Sequence, residues 1–186
     1  MDRKQEILKA AAKTFSLYGF KATSVDQIAR QAGVGKGTIY TFFSTKEELF
    51  QAIVLSTIEE MKLEADRVLD TQASPTENAH VALMKMLEFR ETHQLLARLI
   101  EEERTTHAKA VREMMQQVER AIVEFIEDRL TRALPNLQND PKLVAYLLYK
   151  SYVAFVLEWN QLYDQPLDEE TISRFFQKSL FKGLLQ

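Results

Sequence analysis

Between residues 36 and 41 this 186-residue chain places Lys36, Thr38, Tyr40 and Thr41. An ammonium, two hydroxyls and a phenol so close together are the groups that bond phosphate oxygens and base edges, which is the chemistry of nucleic-acid binding. Catalytic chemistry is not apparent. No nucleophile, base and orienting group can be assembled, and no glycine-rich phosphate loop occurs. Zero cysteines remove disulfides and thiolate metal sites together. His80, His93 and His107 fall on different segments without acidic neighbours at ligand spacing, so they read as surface or hydrogen-bonded histidines. No metal and no cofactor is expected.

The elements that would carry those four side chains are short helices. Leu8, Ala11, Phe15 and Tyr18 form an apolar stripe over residues 3–18, with Gly19 as a stop signal. Ser24 followed by Gln27 has the form of a capping box, opening a second helix that buries Val25, Ile28 and Ala29 and ends near Gly33. Ala32-Gly33-Val34-Gly35 is a tight turn, after which Lys36 to Phe43 has room for about two helical turns. Ile28, Ala29, Ile39 and Phe43 supply the packed side, Phe42 is assigned to the core beside Phe43, and Lys36, Thr38, Tyr40 and Thr41 face outward. Ser44 with Glu47 and Thr45 with Glu48 both fit capping boxes for a long helix to about Asp70. Helical patterns continue over 77–92, 94–105, 107–133, 141–163 and 168–185. The breaks between them lie at Gln72 to Thr76, with a Ser74 cap before Pro75, at Leu134 to Pro141, and at Tyr163 to Pro166.

Composition agrees with an all-α protein: 46% of residues are hydrophobic, with only 5 glycines and 4 prolines. The most apolar stretch, Leu143 to Leu157, is broken by Lys150 and Ser151, so no membrane span is expected. No export signal opens the chain, and a reducing, cytoplasmic setting is expected. The net charge of −3 hides an asymmetry. Residues 1–50 carry eight Lys/Arg against five Asp/Glu, and the remainder carries sixteen against twenty-two. The small end is the basic one, although a surplus of three alone would describe an ordinary solvated face.

Residues 22–29 (Ala-Thr-Ser-Val-Asp-Gln-Ile-Ala), 32–40 (Ala-Gly-Val-Gly-Lys-Gly-Thr-Ile-Tyr), Phe43 and Lys46-Glu47-Glu48-Leu49-Phe50 resemble the signature of the TetR family of bacterial transcriptional repressors. The resemblance covers residues 5–51. It implies a three-helix DNA-binding domain with a helix-turn-helix over residues 1–46, and a larger helical ligand-binding and dimerisation domain over 47–186, about nine helices in all. It implies that Ser24 and Thr38 bond phosphates through their hydroxyls and that Gly37 lets the backbone approach the DNA. Tyr40 would stand against a phosphate or a thymine methyl, Lys36 and Thr41 would reach bases or backbone, and Lys46 would hold a phosphate. Gly35 departs from the usual capping serine and Phe42 from the frequent tyrosine, each removing a hydroxyl.

The same resemblance implies an operator-binding homodimer, most simply a repressor of a palindromic site, released by a small apolar effector. The last two helices would form the dimer interface, for which Leu147, Val153, Ala154, Leu157, Phe175, Phe176, Leu180, Phe181 and Leu184 supply apolar faces. Met61, Met84, Leu87, Leu99, Met115, Val118, Ile122, Phe125, Tyr149, Tyr152 and Trp159 either line an effector pocket or fill the core. Glu101-Glu102-Glu103 reads as a solvated face. A helical protein–protein adaptor is the alternative, distinguished by the absence of salt-dependent DNA binding.

Overall fold

The computed structural model describes residues 3–70, 72–107, 109–163 and 165–185, with Arg90 to His93, Asn160 and Gln161 described by their backbone alone. Among these residues there are nine helices and no strand. The first four are α1 (Arg3–Ala22), α2 (Val25–Ala32), α3 (Lys36–Phe42) and α4 (Lys46–Arg67). They are followed by α5 (Pro75–Leu87), α6 (Arg90–Thr106) and α7 (Lys109–Ala133). The last two helices each contain a π-helical stretch. α8 runs from Pro141–Tyr152 through the π-helical Val153–Glu158 to Trp159–Leu162, and α9 from Glu169–Phe175 through the π-helical Phe176–Phe181 to Lys182–Leu184.

By packing, the chain forms two compact units, Met1–Ile58 with Glu91–Val118, and Glu59–Arg90 with Glu119–Gln186. A purely sequential division at residue 46 does not show this, because α6 and the first part of α7 pack with the N-terminal helices. In the first unit, Ile7, Leu8, Ala11 and Phe15 form the buried stripe of α1. Tyr18, assigned to that stripe by its spacing, is half exposed instead. The reason is Gly19, whose φ of 79° and ψ of 170° break the helix one residue later and return Phe20 to the interior. Phe20 then packs with Phe15 and Phe50, ring centroids 4.7–5.8 Å apart, which fastens the end of α1 to α4.

The caps mostly follow the sequence pattern. Ser24 and Gln27 form the expected box at α2, and the expected Ser74 cap at α5, with Pro75 in the first turn, is completed into a box by Glu77. At α4 a single arrangement replaces the two that the spacing allows. The Glu48 N–H donates to the Thr45 hydroxyl at 3.0 Å, while the Glu48 carboxylate accepts from the Ser44 N–H at 2.6 Å. His107 ends α6 with a φ of 49°, its N–H donating to the Glu103 carbonyl at 3.0 Å. His80 Nδ1 lies 3.2 Å from the Ser173 hydroxyl, and the side chain of His93 lies outside the described residues. No cluster of metal-ligating side chains occurs among the described residues.

The core of the second unit joins α5, α7, α8 and α9 through Leu83, Leu87, Val123, Leu130, Val144, Ala145, Leu148, Tyr149, Ile172, Phe176, Phe181 and Leu185. Each of the Leu, Val, Ile and Phe side chains contributes roughly 1.5–3 kcal/mol by leaving water. Arg129 adds a two-pronged pair with Asp66, at 2.8 and 2.6 Å, and lies 4.7 Å over the Phe125 ring. The guanidinium holds the Asp66 carboxyl below its ordinary range.

A Cβ at position 19 would lie 2.5 Å from Glu102 Oε2, in a backbone region that only glycine adopts freely. Gly19→Ala is therefore expected to lower stability by about 1–3 kcal/mol, read as a fall in the denaturant midpoint at an unchanged slope.

Candidate nucleic-acid interface

α2 and α3 are positioned by their ends and by one buried face. Gly33 takes the left-handed conformation at φ 66°, and its N–H turns back to the Ala29 and Arg30 carbonyls. The Val34 N–H also reaches Ala29 O, at 3.0 Å, which closes α2 tightly enough for α3 to begin three residues later. Gly35 caps α3 without any side-chain bond, and the Thr38 N–H donates to its carbonyl at 2.9 Å. Ile28, Ala29, Ile39 and Phe43 are buried, as their spacing requires.

With Ile39 turned inward, Lys36, Gly37, Tyr40 and Thr41 face solvent and Thr38 is half-buried. Tyr40 is 47% exposed. Phe42 is not core. It is 36% exposed, because residues 39 and 43 already fill the one inward line of a seven-residue helix, and its ring lies against that of Phe43 at 6.5 Å.

The polar groups are more committed than the sequence shows. Lys36 Nζ bonds Asp26 Oδ2 at 2.8 Å, and this carboxylate raises the lysine's pKa above its ordinary value. Ser24 Oγ accepts from the Gln27 N–H at 3.3 Å, and the Thr41 hydroxyl donates to the Gly37 carbonyl at 3.1 Å. Lys46 Nζ donates to the carbonyls of Phe20 and Thr23, both at 2.9 Å, and lies 4.4 Å from the Phe20 ring centre. No neighbour within 4 Å would meet a Cβ at Gly37. Packing within the chain does not demand glycine there, whereas an approaching outside surface would.

The residues assigned to a dimer face divide by burial. Leu147 and Phe175 are exposed, and Val153, Ala154, Leu180 and Leu184 are half-buried. Leu157, Phe176 and Phe181 are buried in the second unit of the single chain, so they are core rather than face. Helical spacing alone did not separate them, because apolar residues lie on both the buried and the exposed sides of α8 and α9. Leu143 and Tyr146, absent from the sequence assignment, are exposed on α8 beside Leu147.

Of the pocket candidates, Leu99 and Val118 are buried and Met115 half-buried in the first unit. In the second unit Met61, Leu87 and Tyr149 are buried, and Met84, Ile122, Phe125, Tyr152 and Trp159 are half-buried. The Tyr152 hydroxyl donates to the Met86 carbonyl at 3.1 Å. Burial pushes the pKa of both phenols upward, with the nearby Glu119 and Glu158 adding to the effect at Tyr149. Trp159 Nε1 donates to the Gln165 carbonyl at 2.9 Å.

A family model for bacterial regulatory proteins of the tetR family matches residues 7–53, from α1 into α4. The HTH-type transcriptional regulator YhgD of Bacillus subtilis is 41% identical over 187 residues, 99% of this chain and 97% of that protein. The chain belongs to the TetR family. This TetR-family regulator shares its fold with FadR from Bacillus subtilis, solved in complex with stearoyl-CoA. The TM-score is 0.76 at 19% identity, over 98% of this chain and 97% of that one. It also matches SmeT in its triclosan complex, with a TM-score of 0.77 at 20% identity over 97% and 90% of the two chains.

The chain is thus a helix-turn-helix, DNA-binding transcriptional regulator. Two residues form pairings that the sequence does not show, and one of them, Glu102, is buried rather than on the solvated face expected of Glu101-Glu102-Glu103. Asp26 stands ten positions before Lys36, a separation with no periodic meaning, and only the turn brings them together. Glu102 sits in a run of three glutamates and carries no individual signal, yet it is 7% exposed and bonds the end of α1.

Asp26→Asn frees the Lys36 ammonium from its carboxylate partner. DNA affinity is expected to rise several-fold with little change in melting temperature, by anisotropy and calorimetry. Gly37→Ala should raise stability by roughly 0.5 kcal/mol through helix propensity while weakening DNA binding. Melting and anisotropy on the same preparation check that divergence.

Proposed function

We propose that the regulator is a cytoplasmic repressor that binds a palindromic operator as a homodimer and is released by a small, largely apolar effector. The observation that carries this reading is the outer edge of α3, where Lys36, Gly37, Tyr40 and Thr41 stand exposed on a helix anchored by Ile39 and Phe43. Such an edge enters a major groove, while Ser24, Thr38 and Lys46 meet the flanking phosphates.

Dimerisation is supported by the exposed apolar residues Leu143, Tyr146 and Leu147 on α8 and Phe175 on α9. A two-fold axis through such a face matches a palindrome read in successive major grooves. The effector is proposed to be apolar because FadR and SmeT were solved with stearoyl-CoA and triclosan. In this chain Met61, Met84, Leu87, Ile122, Phe125, Tyr149, Tyr152 and Trp159 offer apolar surface, with phenols that stay protonated at neutral pH as polar handles. An effector acts by preferring the conformation in which the two reading heads are wrongly spaced.

Anisotropy on labelled duplex from upstream of the gene, against scrambled duplex at two salt concentrations, tests the reading. Tight, sequence-preferring binding that falls steeply with salt is expected, with Tyr40→Ala weakening it by about tenfold or more. Equal binding to both duplexes, indifferent to Tyr40→Ala, would sink it.

A further inference from the structure

We propose that Glu102 is a positioning residue for DNA binding: acting through the corner at residues 20–24, its carboxylate holds the ammonium of Lys46 where that group meets a phosphate. The proposal rests on the DNA-binding reading above and assigns a role to a residue that does not itself face DNA.

A carboxylate withdrawn from water is costly unless its oxygens are bonded. Of the three consecutive glutamates on α6, Glu101 is exposed, Glu103 half-buried, and only Glu102 is buried. Its Oε2 accepts from the Phe20 N–H and its Oε1 from the Lys21 N–H, each at 2.6 Å and across more than eighty residues of sequence. Those two N–H groups follow the break at Gly19, so they are the open donors at the amino end of the helical turn Phe20–Ala22. A negative charge there is held by the two donors.

The other end of the same corner is held by a positive charge. The Phe20 and Thr23 carbonyls accept from Lys46 Nζ, and the ammonium lies over the Phe20 ring. The Thr23 hydroxyl, buried, donates to the Gly19 carbonyl at 2.6 Å and closes the corner internally. Residues 20–23 are therefore clamped between a carboxylate on α6 and an ammonium on α4. Two of the three Lys46 hydrogens are used, leaving one for a further acceptor such as a phosphate oxygen. A surface lysine normally loses rotamer freedom on binding. This one has its direction set in advance by backbone carbonyls, and the placement of those carbonyls depends on Glu102. Ser24, the cap of α2, is the next residue in the chain, so the start of the helix-turn-helix shares the same anchor.

Glu102→Gln keeps size and shape but turns one acceptor into a donor facing a backbone N–H. The corner loses half its clamp without a cavity opening. Comparing the full-length protein with Glu102→Gln, Lys46→Ala and the double variant on the upstream duplex across salt forms a double-mutant cycle. Lys46→Ala should weaken binding by roughly tenfold and lower the salt slope by about one. Glu102→Gln should do the same while keeping its helical circular dichroism, and the double variant should bind no more weakly than Lys46→Ala alone. If the Gln variant does not fold, Glu102→Asp, which withdraws the carboxylate by one methylene, takes its place in the cycle.

Losses that multiply in the double variant, with the Glu102→Gln salt slope left at the wild-type value, would make Glu102 merely structural and overturn the proposal, as would wild-type affinity in Glu102→Gln. Both outcomes leave the DNA-binding reading standing if the wild type and Lys46→Ala behave as stated. Absence of salt-sensitive binding in the wild type would remove both readings together.

Discussion

Glu102 is buried, and the price of burying a carboxylate is met by two backbone N–H groups left without intrahelical acceptors where α1 breaks at Gly19. Much of the first unit follows from that constraint. The break needs a φ that glycine alone adopts easily and a site without a Cβ, since the carboxylate oxygen occupies that space. Restarting at Phe20 brings its ring into contact with Phe15 and Phe50, and so ties α1 to α4. Thr23 and Ser24 then follow at the place where α2 must start.

α2 and α3 have eight and seven residues, too few to be stable helices on their own. Each survives by burying one face, and both turn within a few residues because Gly33 closes α2 in the left-handed conformation. Burial of Ile39 decides which side of α3 remains outside. The exposure of Tyr40 and Lys36 is thus a consequence of packing. The electrostatics are local rather than global: the chain is net negative, and Lys36 and Lys46 are already engaged by Asp26 and by backbone carbonyls.

The second unit shows a different balance. Its core is assembled from long helices, and two of them pass through π-helical stretches that bring Phe155 within 5.1 Å of Phe175 and 6.3 Å of Phe176. Adjacent aromatic residues on α9, which point to different sides of the helix, have opposite fates, Phe176 buried and Phe175 exposed.

The all-α class, the approximate positions of most helices, the capping box at Ser24, the Ser74 cap and the outward placement of Tyr40 were legible in the sequence, although the break expected near residue 93 lies at residues 88–89. They depend on residues within a few positions of one another, where period and cap chemistry dominate. The signature over residues 22–50 likewise pointed to the family. What the sequence could not show are the pairings across long separations. Asp26 with Lys36, Glu102 with Phe20 and Lys21, and Lys46 with Phe20 and Thr23 leave no periodic trace. Nor could it tell Leu157 and Phe181 from Leu147 and Phe175, or place Tyr18 and Phe42 at the surface. An apolar side chain is suited to a core and to an exposed binding face alike, and only the tertiary packing of the chain decides which of the two it joins.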